Sequence, residues 1–202
     1  MKIELENVLP SEIEKRSFEI ITEELGDRVF DPLQEPIIKR AIHTSADFEY
    51  ADSLCFSEHA VEKALDALRK GACIVTDTQM GRSGINKKVI AEFGGEVCCF
   101  MSDPDVAETA KKNGTTRAVA SMEKAVKLDK PLIFAIGNAP TALIQLYEMI
   151  REGRIVVEDC SYCWVRLEEA GGADAMACHV LWEIFEKYQE AGALPKEVFM
   201  LS

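Results

Sequence analysis

Polar segments with helical spacing alternate with short, almost uninterrupted apolar runs along most of this chain. The apolar runs are Ala72-Cys73-Ile74-Val75-Thr76, Glu96-Val97-Cys98-Cys99-Phe100-Met101 and Pro131-Leu132-Ile133-Phe134-Ala135-Ile136. They are too uniformly apolar for strands with one wet face, so they predict strands buried on both sides. Helical patterns lie between them near 85–93, 105–112 and 117–126, and another comes after Asn138-Ala139-Pro140 and runs through Leu143, Leu146 and Ile150. Before the first strand the pattern is helical. Ser11 and Glu14 have the spacing of a capping box; Ile13, Ile20, Ile21 and Leu25 share a face, and Gly26 is placed to end the helix. A second helix starts after Asp31-Pro32 and runs towards Arg40. A third, capped by Ser57, carries Val61, Leu65 and Leu68 and stops at Gly71. Repeated strand–helix–strand units predict an α/β fold: a mostly parallel sheet covered by helices on both faces, in one domain over 1–202.

Composition narrows the class. A chain of 202 residues, 48% hydrophobic, can bury one substantial core. No apolar run approaches the roughly 20 residues that cross a bilayer, and Met1-Lys2-Ile3-Glu4-Leu5-Glu6 is unlike a secretory signal. The seven cysteines then read as reduced thiols of a cytoplasmic protein. A formal net charge of −12 argues against nucleic acid or an anionic membrane as partner. A polyanionic small molecule would also be repelled at long range, so a site for one must gather cations locally.

In parallel sheets, ligands lie beyond the carboxyl ends of the strands. That rule selects the loops Asp77–Lys87, Ser102-Asp103-Pro104 and Gly137-Asn138-Ala139-Pro140-Thr141. The first places two glycines, two hydroxyls, two side-chain amides and two cations in one strand-to-helix turn. Glycine lets backbone approach a ligand, but the spacing fits neither G-x-G-x-x-G nor G-x-x-x-x-G-K-[ST], so a nucleotide is weakly supported. The alternative is an ordinary turn that uses Gly and Asn for geometry.

His43 is one of three histidines and lies in Arg40-Ala41-Ile42-His43-Thr44-Ser45, where the helical pattern ends and a strand pattern begins. An imidazole exchanges a proton near neutral pH; the alternative reading is a buried histidine satisfied by a carbonyl. His59 reads as an exposed residue in the first turn of the third helix. Cys160-x-x-Cys163 with Cys178-His179 has zinc-ligand atoms, but the second pair is adjacent rather than spaced, so no metal site is assigned.

The stretch around His43, the loop Thr76–Ile85 and Ala135–Leu143 together resemble the precorrin-8X methylmutase family and its anaerobic cobalt-precorrin-8 counterpart. Ile13–Phe18 and Gly114–Ala118 match as well. Five ordered matches are far more specific than any one of them. The resemblance implies a flavodoxin-like three-layer α/β/α sandwich, a homodimer and an isomerase of cobalamin biosynthesis with no cofactor. It implies a tetrapyrrole substrate, precorrin-8 or cobalt-precorrin-8, whose methyl group moves from C11 to C12 to give hydrogenobyrinate or cobyrinate. It makes His43 the catalytic residue, and it places Ser17, Arg40, Thr78, Gln79, Gly81, Arg82, Ser83, Gly84, Arg117 and Asn138 on the substrate. Arg40, Arg82, Lys87, Lys88 and Arg117 are then the cations that would meet ring carboxylates.

The resemblance stops near Ile155. Beyond it the chain lacks the family's basic Gly-rich loop and ends in an acidic helical pattern with an apolar stripe from Met176 to Tyr188. That departure opens a competing reading: a corrinoid-binding protein without turnover. The stripe predicts that 156–202 folds, with its helix against the sheet.

Overall fold

A computed structural model describes residues 9–56, 59–137 and 139–155, and the backbone of 160–162 and 164–165. The chain divides into two compact units, Met1–Leu54 and Cys55–Ser202.

The first unit is a helical hairpin with an appended turn: α1 (Ile13–Leu25), α2 (Glu35–Ser45) and α3 (Tyr50–Ser53), leading into β1 (Leu54–Cys55). Ile21 and Leu25 of α1 and Ile38 and Ile42 of α2 are buried, each pair four residues apart and so on one face of its helix. Ile13 and Ile20, expected on the same stripe, are 54% and 41% exposed. The capping box does not form. Glu12 is the N-cap residue, in helical conformation and without a side-chain cap. The Glu14 carboxylate instead accepts from Arg40. Helix α2 begins at Glu35, because Asp31 closes a turn ahead of it by accepting from the Leu33 amide at 2.8 Å. Pro36, not Pro32, occupies its first turn.

The second unit runs α4 (Ala60–Arg69), β2 (Cys73–Thr76), α5 (Gln79–Gly84), α6 (Lys87–Glu92), β3 (Glu96–Cys98), α7 (Pro104–Asn113), α8 (Arg117–Ala125), β4 (Leu132–Ala135), α9 (Pro140–Arg151), β5 (Cys160–Tyr162) and β6 (Trp164–Val165). His59 is the N-cap of α4, with φ of 59°, rather than a first-turn residue. Four parallel strands form one sheet in the order β3-β2-β4-β5. All of β2 is buried, as its continuous apolar run requires. Edge strand β3 exposes Glu96. Its approach to β2 is set by Gly95, where a Cβ would stand 2.5 Å from the Ala72 carbonyl oxygen. Right-handed crossovers in this strand order put α5 and α6 on one face and α7, α8 and α9 on the other, the doubly wound α/β arrangement of flavodoxin-like sheets. Cys73, Val75, Leu132, Phe134 and Ile136 pack with Met122, Leu143, Leu146 and Met149 in the main core. Burying each large apolar side chain contributes about 1.5–3 kcal/mol.

The chain enters β3 from β2 on one side and returns over β2 to reach β4 on the other. The gap between the carboxyl ends of β2 and β4 is therefore the switch point of the sheet, where the departing loops diverge and leave a crevice. Among the described residues, no helix is long and apolar enough to cross a membrane.

Candidate functional site

His43 does not sit at a helix-to-strand junction. It lies in the last turn of α2, which continues to Ser45 and ends at Ala46 in the left-handed region, and the next element is the short helix α3. Burial of Ile42, 1% exposed, anchors this turn and leaves the neighbouring His43 half-buried at its margin. Two successive residues of α1 meet its ring. Ser17 Oγ lies 2.8 Å from His43 Nδ1. The Phe18 ring stacks on the imidazole, with centroids 5.3 Å apart and planes 17° from parallel.

The stack continues outward. The Arg40 guanidinium lies 4.8 Å from the Phe18 centroid, and its Nη2 donates to Glu14 Oε1 at 2.9 Å. The hydrogen-bonded Arg40 holds the Glu14 carboxyl below the usual carboxylate range, and Glu14 in turn raises the Arg40 guanidinium. The imidazole is thus fixed in orientation by one hydrogen bond and one aromatic face. When Ser17 donates to Nδ1, the neutral ring carries its proton on Nε2. In that state Nε2 is a hydrogen-bond donor; in the doubly protonated ring Nδ1 donates to Ser17 Oγ instead, and Nε2 is the nitrogen that can release a proton.

In the second unit the loops selected by the strand-end rule meet at the switch point. Asp77, one residue beyond β2, is 3% exposed. Its Oδ1 accepts from the Gly137 amide at 3.1 Å and its Oδ2 from the Ala139 amide at 2.7 Å. The carboxylate therefore clasps the loop after β4 to the end of β2. Thr78, next along the chain, is extended and accepts from the Gly81 amide at 3.0 Å, which winds residues 79–84 into α5. The expected strand-to-helix turn thus contains a short helix that carries Gln79, Gly81, Arg82, Ser83 and Gly84. At Gly81 a Cβ would stand 3.2 Å from Thr78 Oγ1, a tight approach that the Thr78 hydroxyl would have to yield to. At Gly84 a Cβ would meet nothing.

Gln79 Nε2 reaches Ser102 Oγ at 3.3 Å. The 102–104 loop is held in turn by Lys124, which donates to Asp103 at 2.7 Å and to Asp105 at 2.8 Å. Thr116 caps α8 through the Val119 amide, and its Oγ1 lies 3.0 Å from Thr141 Oγ1. These contacts tie the loop after β2 to the loop after β3, and the start of α8 to the start of α9.

The expected cations divide by what they already hold. Arg40 is engaged with Glu14 and Phe18. Arg82 Nε donates to the Val97 carbonyl at 3.3 Å, which ties α5 to β3. Arg117, Lys87 and Lys88 are exposed in the first turns of α8 and α6. Asn138 lies outside the described residues, as do the side chains of Cys160 and Cys163, the Cys178-His179 pair and the stripe 176–188.

Asp77, Phe18 and Glu14 belong to these arrangements, although within their matched segments none of them is assigned to the site. Asp77 has a legible signal: a carboxylate directly after a buried strand, at a loop whose backbone amides must find acceptors somewhere. Phe18 and Glu14 have none, because their meeting with α2 depends on how the two helices pack.

The precorrin-8X methylmutase family model matches residues 12–158. The cobalt-precorrin-8 methylmutase of Priestia megaterium is 50% identical over 146 residues, 72% of this chain and 65% of that protein. The Salmonella typhimurium protein of the same name is 47% identical over 145 residues, 69% of each chain. The chain thus spans about two thirds of the length of these relatives. A crystal structure of precorrin-8X methylmutase from Thermus thermophilus superposes with a TM-score of 0.69 at 32% identity, covering 86% of this chain and 82% of that one. The matched segment contains the Ser17–His43 pair and every described loop of the switch point, and on it this chain belongs to the precorrin-8X methylmutase family.

Proposed function

We propose that this protein is an isomerase of cobalamin biosynthesis that moves a methyl group from C11 to C12 of precorrin-8 or its cobalt form, with His43 as general acid. The observation that carries this reading is the fixed imidazole: Ser17 on Nδ1 and Phe18 on the ring face leave Nε2 to address the substrate. A methyl group migrates when the conjugated ring becomes electron-poor. A proton or strong hydrogen bond delivered to a ring nitrogen does this, and it acts most strongly where water is excluded. Ser17 is on this reading a positioning residue, since its hydroxyl sets which imidazole nitrogen carries the proton. Arg82 and Arg117 are the cations available for the substrate's carboxylates, with the Thr78, Gln79 and Ser83 polar groups beside Arg82. The names of the two relatives favour the cobalt-containing substrate. A homodimer belongs to the same reading and is checked by light scattering of the purified chain.

The test is His43→Ala, assayed with both pigments by the change in visible spectrum. Methyl migration should be abolished, while pigment affinity stays within about tenfold, because one hydrogen bond contributes roughly 1 kcal/mol net to binding. Turnover by His43→Ala near the unmodified rate would remove the general-acid role. Pigment binding without turnover by the unmodified chain would favour a binding protein instead.

A further inference from the structure

A second group of ligand-forming side chains lies along the paired strands β2 and β3. Cys73 opens β2 and Glu96 opens β3, and the register pairs Cys73 with Glu96 and Val75 with Cys98. In a parallel pair that register turns Cys73, Glu96 and Cys98 to one face. Their sulfur atoms and a Glu96 carboxylate oxygen all lie within 4.8 Å of one another. We propose that Cys73, Cys98 and Glu96 form a binding site for a thiophilic divalent cation such as Zn²⁺, using none of the residues assigned to the substrate.

The donor set suits this ion. Two thiolates and a carboxylate are zinc ligands at about 2.3 and 2.0–2.2 Å, and three protein ligands leave the fourth tetrahedral position for water. Ligand atoms around such an ion stand about 3.5–3.8 Å apart, so a group whose donor atoms lie within 4.8 Å of one another needs to contract by no more than about 1.3 Å. The ligands are graded in depth, with Cys73 buried, Cys98 half-buried and Glu96 exposed, which provides a path from solvent. A cation already lies beside the site: Lys130 Nζ donates to Glu96 Oε1 at 2.7 Å and lowers its carboxyl from the ordinary value. Both thiols are held in the neutral form by burial. Binding therefore expels two protons, one from each sulfur, and displaces the Lys130 ammonium from Glu96; no electron moves.

Cobalt(II) ion, added to the reduced full-length protein, tests the site through its thiolate charge-transfer absorption. The expected result is one saturating equivalent, displaced by Zn²⁺. Cys98→Ser, at a half-buried position, should abolish the absorption. Glu96→Gln should weaken binding at least about tenfold, and Lys130→Met should strengthen it by removing the competing charge. The Cys160→Ser/Cys163→Ser double variant should bind like the unmodified chain. Absence of the band in the unmodified protein, its survival in Cys98→Ser, or its loss in the Cys160/Cys163 variant would each overturn the assignment.

Discussion

Removing the Asp77 carboxylate should loosen the switch point more than any other single change in the second unit's loops. The buried carboxylate accepts from two backbone amides, Gly137 and Ala139. In Asp77→Ala both donors lose their acceptor. A buried unsatisfied donor costs about 1–3 kcal/mol. Gly137 is exposed and Ala139 half-buried, so water recovers part of this, and the expected loss is about 2–4 kcal/mol. For a chain of this size that corresponds to a fall in melting temperature of roughly 4–16 °C. Asp77→Asn keeps one acceptor oxygen and turns an NH₂ group towards the other amide, so it should cost about half as much. Thermal and urea denaturation give the totals, and amide hydrogen exchange at Gly137 and Ala139 gives the local effect. Both amides should exchange faster in the alanine variant by more than the global loss requires. Unchanged protection there, or a destabilisation below about 0.5 kcal/mol, would refute the clasp.

The α8 core offers a change of opposite sign. Ser121 is fully buried and, among the described residues, its hydroxyl has no hydrogen-bond partner. Ser121→Ala removes that unmet group and should leave stability equal or raise it by up to about 1–2 kcal/mol, read as the urea midpoint; a clear loss would reveal a partner. Glu123 has its carboxyl lowered by hydrogen bonding to Arg154, with Gln145 adding to the same network. A depressed folded value means that this contribution is complete above the ordinary value of 4.5 and is lost as pH falls through the folded one. Glu123→Gln should therefore cost about 1 kcal/mol at neutral pH. It should also flatten the decline of stability below about pH 4.5. Parallel pH-stability curves for the two proteins would count against it.

Much of the architecture was legible in one dimension. Uniform burial of Cys73–Thr76 comes from its apolar run, and Gly26 and Gly71 stand at helix ends with positive φ, where glycine is favoured. The loops of the switch point were selected because parallel strands leave their ligand-facing loops at one end. Hydrophobic periodicity is a local code, and these features are local. Other features depended on competition between partners distant in sequence. Glu14 had the spacing to cap its own helix, yet Arg40, 26 residues on, takes its carboxylate. The loop after β2 read as a strand-to-helix turn rich in glycine, yet Thr78 winds it into α5. His43 stood out by residue type alone. What makes it a directed group rather than a surface imidazole is α1 laying Ser17 and Phe18 against it. The sheet brings the Asp77 clasp together across 60 and 62 residues, and the register of β2 on β3 gathers the Cys73–Glu96–Cys98 cluster. Periodicity determines which face of an element is buried. Only packing decides which polar groups meet, because hydrogen bonds act over about 3 Å and nothing in the linear order sets that distance.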